Sequence, residues 1–340
     1  MAHSWESVLN DLKKGNYSPV YFLHGDEPFY IDLLSDFVEE SVLDQASKGF
    51  NQTILYGKDV DIGQILNQAR RFPMMAERQV VIVKEAQEIK DLNKDEGQAL
   101  LISYLEQPLN TTLLLFSHKH KPFDQRKKLA KVLDQKAIVV NSKRLYDNKL
   151  PDWAKKYTEQ KGHSIDEKAA FILTENIGNN LQRLANEIDK ILINFKDKVT
   201  INATLVEKYV GISKEYNSFE LQKALALKDV LKANRIVNYF ANNPKANPLL
   251  LTITMLYSFY SKLLLIHHSQ DRSEKGLASK LRISPFFVNE YITASNNYPL
   301  NRVIKNIGFL RLADLRSKGV DTVNVADGQL LKELIFRLMH

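Results

Sequence analysis

Cysteine does not occur in the 340 residues. Disulfides, thiol nucleophiles and Cys-ligated zinc are thereby excluded, and the composition fits a reducing cytoplasm. The start, "MAHSWESVLNDLKKG", lacks the basic-then-apolar layout of a secretory leader. There is no internal repeat and no low-complexity tract. The zinc-protease pattern H-E-x-x-H and the nucleophile elbow G-x-S-x-G are missing as well. Charge is not gathered in one block. The net charge of +7 is spread along the chain, which permits contact with nucleic acid or an acidic protein but points to neither.

What is present reads as a folded, soluble protein, 44% hydrophobic and 26% charged, long enough for two or three domains. Up to about residue 140, strand-like and helix-like segments alternate. "PVYFLHG", "NQTILYG", "RQVVIVKEA", "TTLLLFS" and "AIVVNS" read as strands. "PFYIDLLSDFVEESVL", "DIGQILNQARRF", "GQALLISYLEQ" and "FDQRKKLAKVLDQ" read as the helices between them. This predicts an α/β layer with a mainly parallel sheet. After about residue 145 the strand signals fade. A small helical group follows, with Gly162, Gly178 and Gly211 as helix stops, and "SKEYNS" reads as a linker. From Phe219 onward the pattern is helical throughout. Residues 248–268 approach membrane-spanning length but carry Thr252, Thr254, Ser258, Ser261 and Lys262, which favours a buried helix and no membrane contact. A sheet domain followed by a helical lid is the AAA+ arrangement, so the first domain is where a phosphate-binding loop belongs.

That loop is not there. G-x-x-x-x-G-K-[ST] would follow the first strand. Instead the strand leads into "HGDEPFYID", with Gly25 but no second glycine, lysine or hydroxyl. Asp26 and Glu27 put negative charge where phosphates need N–H groups and a cation. "VVIV" ends in Lys84-Glu85 without the acidic pair that handles magnesium. No catalytic residue, cofactor or metal is expected. His118, His120, His267 and His268 lack clustered carboxylates and read as solvated.

One stretch, "RRFPMMAERQVVIVKE", raises a different possibility. Ile62, Ile65, Leu66 and Ala69 recur at helical spacing, Phe72 extends that face and Pro73 stops the helix. Met74 and Met75 then fall on a turn before the strand. They either fold back as core plugs or form a detachable anchor for a partner, a use that suits adaptable thioether side chains. Two further features point to nucleic acid. Lys119, Lys121, Arg126, Lys127, Lys128 and Lys131 surround a helix start and read either as a solvated face or as phosphate contacts. "KGLASKLRISPFFVNEYITAS" scans like a helix-turn-helix. Its second helix offers Phe286, Phe287, Val288, Tyr291 and Ile292 rather than base-reading cations, so it reads as a packing helix.

Taken in order, "VYFLHGDEPFYID", "ARRFPMMAERQVVIVKEA", "DQRKKLAKVL", "NLQRLANEIDKI" and "GFLRLADLRSKG" resemble the δ subunits of the bacterial DNA polymerase III clamp loader over essentially the whole chain. The resemblance implies three domains. These are an AAA+-like (P-loop NTPase-like) α/β domain over 1–144 without a working nucleotide site, a helical lid over 145–212 and an all-α collar over 213–340. It implies a non-catalytic, cytoplasmic subunit within the polymerase holoenzyme, a nucleotidyltransferase complex. Its partners would be the β sliding clamp, the γ/τ ATPase subunits and the δ′ subunit, with primed DNA reached as part of the assembly. It places the clamp contact at Phe72, Pro73, Met74 and Met75, with Lys119, Lys121, Arg126, Lys127 and Lys128 as candidate DNA-phosphate contacts. The second apolar tip residue here is methionine, where the commonest pattern has an aromatic. Two alternatives of other classes are a divergent AAA+ ATPase and a helix-turn-helix DNA-binding protein.

Overall fold

The computed structural model describes residues 3–213, 216–320 and 325–340, and the chain divides into two compact units, Met1–Leu145 and Tyr146–His340. Lys214 and Glu215, within the expected linker, lie outside the described residues.

In the first unit the order is α1 (Trp5–Lys13), β1 (Val20–Gly25), α2 (Pro28–Ser41), α3 (Gln45–Asn51), β2 (Gln52–Tyr56), α4 (Ile62–Ala69), β3 (Gln79–Lys84), α5 (Asp95–Glu106), β4 (Thr112–His118), α6 (Lys128–Lys136) and β5 (Ile138–Ser142). The strands form one parallel sheet in the order β2-β3-β4-β1-β5. "VYFL", "VVIV" and "LLLF" have no polar face because both faces are covered. The two-residue period of a strand sorts them. Val20, Phe22, Val81, Val83, Leu114 and Phe116 point at α4, α5 and α6, where Ile62, Ile65, Leu66, Leu101, Leu105, Leu129 and Leu133 meet them. Tyr21, Leu23, Val80, Ile82, Leu113 and Leu115 point the other way, onto Val8 and Leu12 of α1 and Ile31, Leu34 and Val38 of α2. Each of these fully buried aliphatics contributes about 1.5–3 kcal/mol, so a charged substitution at Leu114 or Leu115 would undo one whole layer.

The second unit contains α7 (Leu150–Gln160), β6 (Ser164–Ile165), α8 (Glu167–Ile177), α9 (Leu181–Leu192), β7 (Thr200–Ile201), α10 (Ala203–Val210), α11 (Ser218–Ala226), α12 (Val230–Asn242), α13 (Leu249–His267), α14 (Glu274–Leu281), α15 (Pro285–Asn297), α16 (Leu300–Ser317) and α17 (Asp327–Met339). It is not wholly helical, because β6 and β7 form a short parallel ladder. α13 is long and apolar enough to cross a membrane by length and composition. Its face of Ile253, Leu256, Phe259, Tyr260 and Leu263 nevertheless lies in the core with residues of α11, α12, α16 and α17. Leu250, Leu251, Tyr257 and Leu265 on its other side are exposed. Phe171 of α8 packs against Phe219 and Phe287, with ring centroids 5.3 and 4.8 Å away. A parallel α/β unit followed by a largely helical remainder is therefore the architecture.

Candidate functional site

The turn between α4 and β3 is built from both sides. α4 opens with a reciprocal capping box between Asp61 and Gln64 and buries Ile62, Ile65, Leu66 and Ala69. It ends at Ala69, with Arg70 as its C-cap. Two expectations are corrected here. Phe72 does not extend the buried face, since it is 73% exposed, and Pro73 lies beyond a helix that has already stopped. The helix end is held from beyond the turn: the Gln79 amide donates to the carbonyl of Gln68 at 2.7 Å, adding to the Arg71 N–H at 3.2 Å on that helix-end acceptor.

Met74 is 61% exposed and Met75 projects fully into solvent, so neither plugs the core. Their backbone is nonetheless held. The side-chain oxygen of Asn51, at the end of α3, accepts from the Met74 N–H at 2.6 Å. Its amide donates to the Met74 carbonyl at 2.9 Å. Met75 sits in the left-handed region at φ +52°, which costs a non-glycine residue of order 1 kcal/mol or more. Arg78 closes the far side, donating to the Asn110 carbonyl at 3.3 Å and lying over the Tyr17 ring. The sequence reading missed Asn51, because its partner is 23 residues away and nothing local signals the contact.

The cation cluster is less uniform than its spacing implied. Lys119 is not free: its Nζ lies 2.6 Å from Asp32 and 3.0 Å from Glu85. Partial burial opposes its charge, but these two carboxylates outweigh burial and hold its pKa above the ordinary value. Arg126 is exposed and pairs with Asp124, holding that carboxyl at about 2. Lys127 donates to Asn93 at 2.6 Å. Lys121 and Lys128 are exposed, with no ion pair among the described residues. The cluster follows the C-terminal end of β4, whereas the methionine turn precedes the N-terminal end of β3. In a parallel sheet these are opposite rims, roughly 20 Å apart for strands of this length.

The rim where a nucleotide phosphate would lie is filled by the chain itself. Glu27 is the N-cap of α2, and its buried carboxylate accepts the Phe29 N–H at 3.1 Å. Burial pushes that carboxyl up, against the pull of the hydrogen bond. Ser142 Oγ donates to the Glu27 carbonyl at 2.6 Å. Gly25, at φ +141°, lies so close to Ser142 that a Cβ would run into its carbonyl. His118 corrects another expectation. It is buried rather than solvated, packed beside His24, Phe22 and Phe123, and its neighbours supply apolar surface and a carbonyl rather than water. His120 and His268 are exposed, and His267 lies 2.8 Å from the Tyr298 carbonyl. Among the described residues no group of three His, Asp or Glu could hold a metal. In the helix-turn-helix segment, Phe287, Val288 and Tyr291 of α15 are buried, as a packing helix requires, but Phe286 is exposed, contrary to expectation.

Residues 21–143 match the model of the family described as DNA polymerase III, delta subunit. Among curated proteins the chain is 27% identical over 334 residues to "DNA polymerase III subunit delta" of Bacillus subtilis (strain 168), covering 96% of this chain and 94% of that one. It is 23% identical over 225 residues to "Probable DNA polymerase III subunit delta" of Aquifex aeolicus (strain VF5), covering 64% and 63%. Among solved structures, the Bacillus subtilis DNA clamp loader delta protein superposes with a TM-score of 0.55 at 24% identity, covering 98% of this chain and 99% of that chain, a likeness of fold. The matched region lies within the sheet unit and one relative aligns end to end, so it is to DNA polymerase III delta subunits that the chain is similar.

Proposed function

We propose that this chain works as the clamp-gripping subunit of a bacterial clamp loader, with Met74 and Met75 inserted into an apolar pocket of the ring-shaped β sliding clamp. One observation carries the reading: two large apolar side chains stand in solvent on a turn whose backbone is fixed, rather than lying in the core. Burying both would supply roughly 3–6 kcal/mol before association costs, enough for an anchor that must also release. Phe72 and Pro73 flank them. Helping to hold one clamp interface open, so that the ring can be loaded at primed DNA, is the action this grip would serve.

The second unit would join the γ/τ ATPase subunits and δ′, with 145–212 as lid and 213–340 as collar. The exposed Leu250, Leu251 and Leu265 of α13 support an assembly surface there. Lys121, Arg126, Lys127 and Lys128 would lie near DNA phosphates, whereas the ion-paired Lys119 is the weakest candidate of the five. The place of action is the cytoplasm, inside a polymerase complex whose nucleotidyl transfer this chain does not itself perform. Titrating purified β clamp tests the anchor. Met74→Ala with Met75→Ala is expected to cost about 3 kcal/mol or more, over a hundredfold in Kd. Unchanged affinity of that double variant overturns the reading.

A further inference from the structure

We propose that Asn51 is a positioning residue for the tip, holding the Met74–Met75 turn in its binding shape before any partner arrives. The inference rests on the clamp-gripping reading of the two methionines. Residues 71–78 belong to no helix or strand, so nothing in regular structure fixes them. The Asn51 carboxamide makes a reciprocal pair with the N–H and C=O of one residue, Met74, as a neighbouring strand would. A third bond, from its amide to the Ser47 carbonyl at 3.1 Å, ties that carboxamide to the body of α3. Asn51 is the one buried side chain of α3, so the helix spends its buried position on the turn rather than on the apolar core.

The shape being held is an unfavourable one. Met75 at φ +52° would relax toward ordinary extended or helical backbone if the loop were loose. Strained backbone persists where surrounding structure over-determines it, and here the over-determining contacts converge on the preceding residue. A loose loop would present the two thioethers together only part of the time, and its apparent affinity would fall by that fraction. Phe50, the residue beside Asn51, is also exposed, so α3 delivers a further apolar side chain close in sequence to the group that holds the tip.

The test uses the full chain titrated with β clamp in a stopped-flow or surface assay. The variants are Asn51→Ala, Asn51→Asp (similar in volume, without the amide donor), the Met74→Ala/Met75→Ala double, and Leu133→Ala in α6 as a control for lost stability alone. Asn51→Ala and Asn51→Asp are each expected to weaken binding about tenfold, mostly through slower association, as a reduced fraction of competent loop requires. Faster exchange of the Met74 amide should accompany the loss in Asn51→Ala but not in Asn51→Asp, which still accepts that N–H and loses only the bond to the Met74 carbonyl, and Leu133→Ala should bind as the unmodified chain does. Should Asn51→Ala fail to fold, the affinity of Asn51→Asp against that of Leu133→Ala carries the test. Wild-type affinity in the Asn51 variants, with the double methionine variant unable to bind, overturns the positioning role and leaves the anchor standing. So does a loss no larger than that of Leu133→Ala. Wild-type affinity in the double methionine variant overturns the anchor and this inference together.

Discussion

His24 and His118 lie next to one another at the ends of β1 and β4, and their hydrogen bonds assign their protons. His24 Nδ1 takes the Phe123 N–H at 3.1 Å, so its own proton is on Nε2. His118 Nδ1 faces the Lys121 carbonyl at 3.1 Å, so it carries the proton. Burial lowers the pKa of both, that of His118 to about 4; Asp134 partly opposes the shift at His24, while His24 and Lys121 add to it at His118. A base depressed in the folded state is protonated more readily in the unfolded chain, so stability falls as pH falls from the unfolded value of 6.5 toward 4. Between pH 7 and pH 5, His118 alone should cost the fold roughly 2 kcal/mol. Denaturant midpoints across that window should show the slope, and His118→Asn, which keeps a donor for Lys121 but does not titrate, should flatten it. At Met74 and Met75 the expectation is the reverse of a core site. Their double alanine variant should unfold within about 1 kcal/mol of the parent. A loss of roughly 2–5 kcal/mol per site would mean that they are core residues in solution.

At the scale of the element, the five strands and α2, α4, α5 and α6 of the sheet unit were legible because apolar runs and helical spacing express burial directly, whereas α1 was not read. The α4 face of Ile62, Ile65, Leu66 and Ala69 was read correctly for that reason. Phe72 was not, because its place depends on where α4 stops, and that end is held in part by Gln79, ten residues beyond Ala69. α3 left no trace in the periodicity, since its single buried residue is an asparagine. β6 and β7 are two residues each, too short to alternate. That Met74 and Met75 fall on a turn between α4 and β3 was visible in sequence, but the bonds that Asn51 makes to that turn were not, because Asn51 reaches it only through the tertiary fold. Sequence also placed acidic residues at the start of α2, and the structure adds that Glu27 caps this helix itself. Two outcomes follow for this element. Gly25→Ala should destabilise the chain by roughly 2 kcal/mol or more, because the new Cβ meets the Ser142 backbone in a conformation that already favours glycine. Saturating magnesium and ATP should leave the thermal midpoint of the unmodified chain within about 1 °C, since a ligand that does not bind the native state cannot stabilise it. A clear upward shift would revive a nucleotide site.

For the whole molecule, the division after Leu145 is the cut to test. The apolar clusters on both faces of the sheet are closed by helices of the same unit. A fragment of residues 1–145 lies within the ordinary size of an independent domain. It should unfold in one cooperative transition and bind β clamp within about threefold of the full chain, read by denaturation and the same titration. A cut at 212 would instead separate Phe171 from Phe219 and Phe287 and expose the rings they bury. Aggregation or loss of clamp binding in the 1–145 fragment would mean that the tip needs the second unit. The carboxylate of Glu27 over the first turn of α2 also bears on timing. If magnesium and ATP leave the thermal midpoint unmoved, the ratio of ATP to ADP has no direct handle on this chain. On the clamp-gripping reading proposed above, when the turn at the opposite rim grips and when it lets go would then be questions of access, decided by whatever stands in front of it.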